Sequence, residues 1–238
     1  MLTPSPYRIY PCGDHAITLE LGEVIDIAIN QKVMAVYHRL LSQKITGVID
    51  IIPAYSSLTL VYDVLTLAKK QAGGSVYERM KQLLEKEAAS VNDTTNTLSP
   101  LVRIPVCYDA SLAPDLASLA ETHQLSIEDV IALHTGKTYR VYMIGFLPGF
   151  AYMGSVDEKI NTPRKPQPRT KVPAGSVGIA GEQTGIYPLD SPGGWQLIGQ
   201  TPVKLFDTAN SNPCFLNPGD EVEFYAISLT EFIKAKQS

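Results

Sequence analysis

The sequence predicts an α+β protein in two parts: a small two-layer α+β domain over residues 1–98, then a compact β-barrel or sandwich over residues 99–238. Three observations predict it. Ahead of residue 88 the apolar positions switch between a period of two and a helical period. The stretch Ala88 to Pro100 is polar, with Asn92, Asp93, Thr94, Thr95, Asn96, Thr97 and Ser99, and has almost nothing to bury. From Tyr139 onward the helical period disappears, and short apolar runs are separated by Gly and Pro. At 238 residues the chain lets either part bury a core of its own.

Taken in order, Ala16 to Leu21 reads as a short strand. Ile25, Ile29, Val33, Val36, Tyr37, Leu40 and Leu41 then recur at helical spacing up to Ser42, and Gly47 ends the connection. Val48 to Tyr55 and Leu58 to Tyr62 are β-rich runs separated by Ser56 and Ser57, a break short enough for antiparallel neighbours. Ser75 followed by Glu78 makes a capping-box pattern, opening a helix whose apolar face is Val76, Met80, Leu83 and Leu84. The order β-α-β-β-α matches a split βαβ arrangement. Past the polar stretch, Leu101 to Tyr108 reads as a strand. Asp115 to His123 and Ile127 to His134 read as short helices, the second capped by Gly136. The runs Gly178–Ala180, Trp195–Ile198, Val203–Phe206 and Val222–Ile227 supply further strands.

Apolar residues at 45%, charged residues at 18% and a mean hydropathy of +0.01 describe a packed globular protein rather than a disordered one. The net charge of −4 argues against nucleic-acid binding through overall charge, so any anion site must be local. The opening segment, Met1 to Tyr10, carries Pro4 and Pro6 and lacks the apolar core of about 7–15 residues that a secretory signal needs. No apolar run approaches the ~20 residues that span a bilayer. A cytoplasmic protein is expected. Cys12, Cys107 and Cys214 are odd in number and far apart, which reads as three unpaired thiols. His15, His38, His123 and His134 are scattered, and no metal site is predicted.

Several motifs fail on inspection. Gly136-Lys137-Thr138 resembles the end of a phosphate-binding loop, but that loop needs glycine where Ile131 stands. Gly175, Gly178 and Gly181 recur every three residues and follow no βαβ unit, so they suit tight turns or close backbone approach, not a dinucleotide. Ser176 lacks the glycine of a nucleophile elbow two residues earlier, where Ala174 stands. No close carboxylate pair declares a general acid–base system.

What remains is local. Lys159, Arg164, Lys165, Arg169 and Lys171 place five cations in thirteen residues with no acid between them. Pro163, Pro166, Pro168 and Pro173 stiffen that segment, so its cations lose less entropy on holding a carboxylate or phosphate, and a guanidinium holds either bidentately. The alternative is a solvated basic loop. The stretch GFLPGFAYMG, Gly145 to Gly154, crowds Phe146, Phe150 and Tyr152 onto a glycine-rich hairpin. Such aromatics line a pocket, face a partner or pack a barrel turn. His134, near a predicted helix C-terminus, is either a capping cation or a functional side chain.

Those blocks, GFLPGFAYMG, TPRKPQPRTKVPAGSVGIAGEQTGIYP and SPGGWQLIGQTP, together with the earlier CGDHAI and IPAYSSLTLVYD, resemble the family of KipI and the 5-oxoprolinase B-type subunits (PxpB), also called the allophanate hydrolase subunit 1 family. The resemblance covers nearly the whole chain and implies a cyclophilin-like β-barrel for the second domain. It also implies a hydrolase: a B-type subunit working with a cyclophilin-like subunit of C type and a subunit of A type in ATP-dependent opening of 5-oxo-L-proline to L-glutamate, with ATP used by the complex and the chain active within it. Substrate-holding roles are then expected for Arg164, Arg169 and Lys171, with Gln183, Trp195 and His134 shaping the pocket and Phe146, Phe150 and Tyr152 facing a partner. Two alternatives come with the same family: a non-catalytic inhibitor of a sporulation-type histidine kinase, and a subunit acting in urea or allophanate chemistry.

Overall fold

The structure, a computed structural model, describes residues 7–70, 74–90 and 100–237. The chain forms two compact units, Met1–Leu98 and Ser99–Ser238. Most of the polar stretch read as the domain boundary, residues 91–99, lies outside the described residues.

The first unit contains β1 (Arg8–Pro11), β2 (Ala16–Glu20), α1 (Ile27–Gln43), β3 (Val48–Pro53), β4 (Ser57–Tyr62), α2 (Val64–Lys70) and α3 (Val76–Ala89). Its antiparallel sheet has the order β1-β2-β4-β3, so β4 inserts between the strands that α1 connects, the split βαβ geometry predicted. Ile17, Leu19, Leu58 and Leu60 on one sheet face pack against Val36 of α1 and Leu84 of α3. The Asp26 carboxylate accepts from the Ile29 N–H at the start of α1, and the Ser75 hydroxyl accepts from the Glu78 N–H at the start of α3. Two elements escaped the periodicity. β1 is a four-residue, largely exposed edge strand, and α2 is seven residues opened by Asp63, whose carboxylate accepts from both the N–H and the hydroxyl of Thr66.

The second unit contains β5 (Leu101–Cys107), α4 (Leu116–Thr122), α5 (Ile127–Thr135), β6 (Thr138–Ile144), β7 (Ala151–Gly154), β8 (Arg169–Val172), β9 (Ser176–Ala180), β10 (Gln183–Ile186), β11 (Ser191–Gly193), β12 (Gln196–Gln200), β13 (Glu221–Ile227) and α6 (Leu229–Lys236). Seven strands close a barrel in the order β10-β7-β6-β13-β5-β12-β9, which decides between barrel and sandwich, and β8 and β11 form a separate ribbon. The barrel core includes Ile104, Val141, Met153, Ile179, Ile198 and Phe224.

Two expectations are corrected. Val203–Phe206 is irregular and contributes one isolated bridge, Phe206 to Cys214. The C-terminal helix α6 follows β13 directly, opened by a reciprocal capping box between Ser228 and Glu231 that marks its start in the sequence. Gly136 caps α5 as expected, its N–H donating to the Ala132 carbonyl, with φ −80°.

Gly175 is where the barrel demands glycine. Its φ is +84°, and a side chain there would collide with the Thr201 carbonyl. The Thr201 N–H in turn donates to Gly175 O at 2.9 Å, so the two backbones cannot separate. Gly175→Ala is expected to cost roughly 2 kcal/mol or more in denaturant unfolding. Gly181→Ala, with φ +62° but no neighbour nearer than 4.0 Å, bears only the left-handed strain of about 1 kcal/mol.

Candidate functional site

A pocket of about 280 Å³ opens on the second unit. Phe146, Phe150 and Tyr152 of the β6–β7 hairpin form one wall, and Arg164, Lys165 and Pro168 form a second. Tyr187, Trp195 and the turn through Pro192, Gly193 and Gly194 complete it. A larger cavity of about 360 Å³ in the first unit is lined by aliphatic residues such as Leu40, Ile45 and Ile49, with one cation, Lys44, and one anion, Asp50. The barrel pocket has the chemistry a ligand site needs: apolar walls with a few convergent polar groups.

Glycine lets the aromatic wall assemble. At Gly185 a Cβ would stand 3.0 Å from the Trp195 ring and 3.1 Å from the Phe150 ring, so only a bare backbone admits both. Phe150 is 1% exposed and meets Tyr187 and Trp195 edge-on, each with ring centroids 5.3 Å apart. Phe146 sits at the rim, 63% exposed, with a φ of 66° in the left-handed region, and stands edge-on to Phe150 at 5.6 Å.

The cationic wall is organised by an acid from elsewhere in the chain. Asp115 Oδ1 accepts from Lys165 Nζ at 2.8 Å and from Arg169 Nη2 at 2.6 Å, while its Oδ2 accepts from the Leu197 N–H at 2.6 Å. Burial works to raise the Asp115 carboxyl, but the hydrogen bonds from Lys165, Arg169 and Leu197 outweigh it and hold it below 3.8. Lys165 and Arg169 share this one carboxylate and Arg164 does not reach it, so the three cations of this wall carry an excess of two positive charges. The Arg164 guanidinium lies over the Trp195 ring, 5.8 Å from its centroid, and has no carboxylate within ion-pair distance among the described residues. Burial pushes the Tyr152 and Tyr187 phenols up, opposed at Tyr187 by a hydrogen bond with the Trp195 backbone and at both by Arg164, so both remain protonated at neutral pH.

The structure brings Arg164 and Trp195 together with Phe146, Phe150 and Tyr152. The other sequence candidates lie elsewhere. Arg169 sits behind the wall, bound to Asp115 and more weakly to the Trp195 carbonyl at 3.4 Å. Lys171 is exposed and pairs with Asp190 at 2.9 Å. Gln183 opens β10 opposite Gly154 and Ala180 and is not among the pocket's lining residues.

His134 is neither a capping cation nor a pocket residue. It is fully buried and stacks on Phe224 with centroids 4.7 Å apart. Thr184 Oγ1 donates to Gly178 O, so it accepts from His134 Nε2–H, and Nδ1 accepts from the Tyr108 hydroxyl. Burial lowers its pKa to about 3, which keeps the ring neutral.

Lys165 and Tyr187 in the pocket lining, and above all Asp115 buried beneath it, are residues that the sequence reading missed. Asp115 makes its contacts across 50, 54 and 82 residues, a separation with no local signal. Among the described residues no group of three or more His, Cys, Asp or Glu is placed to hold a metal, and no helix is long and apolar enough to cross a membrane.

Residues 7–216 match the family model of the carboxyltransferase domain, subdomain C and D. The chain belongs to this family. The matched span includes every residue of the barrel pocket, so the pocket is part of the carboxyltransferase C–D module and not an appendage to it. A protein of Bacillus subtilis (strain 168), named as the B-type subunit of 5-oxoprolinase, is 42% identical over 233 residues, which are 97% of this chain and 97% of that protein. The crystal structure of TTHA0988 superposes with a TM-score of 0.77 at 38% identity, covering 90% of this chain and 40% of that one. The Kluyveromyces lactis urea carboxylase superposes with a TM-score of 0.75 over 98% of this chain and 23% of its own; at 21% identity it shows that the carboxyltransferase C–D fold is shared.

Proposed function

We propose that this chain is the B-type subunit of a cytoplasmic, ATP-dependent 5-oxoprolinase complex, and that its barrel pocket holds the carboxylate of 5-oxo-L-proline on Arg164. The observation that carries the reading is a guanidinium over an aromatic ring, with no carboxylate partner among the described residues, in a pocket of about 280 Å³ suited to a small molecule. The near end-to-end similarity to a protein named as a 5-oxoprolinase subunit of B type supports it and favours the enzyme over the kinase-inhibitor and urea readings. The partners are a C-type subunit, itself cyclophilin-like as this barrel is taken to be, and an A-type subunit.

In the reaction, water adds across the lactam C–N bond: the carbonyl carbon gains the hydroxyl, the ring nitrogen gains a proton, and hydrolysis of ATP to ADP and phosphate drives the opening. The pocket's contribution is to bind and orient. Arg164 takes the carboxylate, Trp195 and Phe150 cover the ring, and the Tyr152 and Tyr187 phenols donate toward the lactam oxygen, where negative charge develops.

The test is to co-purify this chain with A-type and C-type subunits and measure glutamate formed from 5-oxo-L-proline. Release is expected to require ATP and all three subunits. Equal release without this chain, or none with all three present, overturns the proposal.

A further inference from the structure

Asp115 occupies the N-cap position of α4, where an aspartate ordinarily accepts from the first-turn N–H groups, yet its side chain makes no capping bond. Its side-chain hydrogen bonds go instead to Lys165, Arg169 and Leu197, and its own N–H donates to the Leu197 carbonyl at 3.0 Å. It is 3% exposed. A carboxylate that leaves a helix end uncapped to bind two cations under a pocket wall is costly to bury, and stability alone is served as well by apolar packing.

The consequence falls on Arg164. Lys165 on one side is held by Asp115 and by its own N–H donating to Gly194 O at 2.7 Å. Pro163 on the other side accepts at its carbonyl from Gln196 Nε2 at 2.9 Å. Gln196 lies between Trp195 and Leu197, the residue whose N–H Asp115 holds. One carboxylate therefore ties the segment carrying Arg164 to the stretch that carries Trp195 just ahead of β12. We propose that Asp115 is a positioning residue: it locks these two stretches together so that the Arg164 guanidinium stays over Trp195 and free to take the ligand's carboxylate.

The inference rests on the pocket being the substrate site, and the test separates the two. In the assembled complex, Asp115→Asn keeps the shape and an acceptor for Leu197 but removes the charge. It is expected to raise KM for 5-oxo-L-proline by about tenfold with kcat nearly unchanged, the mark of lost ground-state binding. In the isolated full chain Trp195 is the single tryptophan, so its emission reports the wall directly. Asp115→Asn should shift that emission and make it more open to iodide quenching while the far-UV signal stays native. Unchanged KM and emission in Asp115→Asn, alongside a raised KM in Arg164→Gln, overturn the role of Asp115 alone. An unchanged KM in Arg164→Gln overturns the pocket reading beneath it. If Asp115→Asn does not fold, Arg169→Gln cuts one arm of the same network and should raise KM severalfold with the same change in emission; wild-type values there overturn the proposal.

Discussion

Arg164→Gln should lower kcat/KM of the assembled complex for 5-oxo-L-proline by about a hundredfold, because a charge-assisted bond to a carboxylate in a partly desolvated pocket is worth roughly 1.5–3 kcal/mol. The loss should appear mainly in KM, since the substrate carboxylate is bound alike in the ground and transition states. Folding should be spared: Arg164 is exposed, and its contact in the free chain is with the face of Trp195. Lys171→Gln is the informative contrast. Lys171 belongs to the same cationic run but is exposed and engaged by Asp190, so its loss should change KM by no more than about twofold, in line with the small worth of surface pairs. Steady-state glutamate assays over a range of 5-oxo-L-proline concentrations measure both.

On the acid side of neutrality, His134 carries a large pH effect on stability. Its folded pKa is depressed to about 3 from 6.5, so between those values the unfolded chain binds a proton that the folded chain does not. The contribution is complete above pH 6.5 and is lost progressively as pH falls toward 3. Protonation would put a hydrogen on Nδ1 facing the Tyr108 hydroxyl, which now donates to it, and would place a charge at a fully buried position. The urea midpoint of the barrel unit should be level above about pH 6.5 and fall steadily from there to pH 5. His134→Ala should cost about 3 kcal/mol or more at pH 7, through the lost stacking and the two buried hydroxyls left without their ring partner, and should flatten the dependence over the same window.

The split βαβ sheet and the strand-rich second half were legible because they rest on local quantities: apolar period, caps and Gly/Pro punctuation. Among the elements that escaped, β1, α2 and α6 span four to eight residues, too few for periodicity to register. The starts of both missed helices were nonetheless written in capping residues, Asp63 before α2 and the Ser228–Glu231 pair before α6. In the site, the aromatic hairpin, Arg164 and Trp195 were legible as composition: aromatics beside glycine, and cations beside proline. The division of labour among the cations was not. Arg164, Arg169 and Lys171 look equivalent along the chain, and what separates them is where Asp115 and Asp190 arrive in space. His134 illustrates the reverse. Its place near a helix end suggested a charged cap, whereas complete burial among Tyr108, Thr184 and Phe224 makes it a neutral core residue.

A structure of the assembled complex with 5-oxo-L-proline bound tests the assignment of the pocket most directly. The substrate carboxylate should lie within hydrogen-bonding distance of the Arg164 guanidinium, with its ring against Trp195 and Asp115 still bridging Lys165, Arg169 and Leu197. Substrate held elsewhere in the complex, with the space between Arg164 and Trp195 vacant, would contradict it.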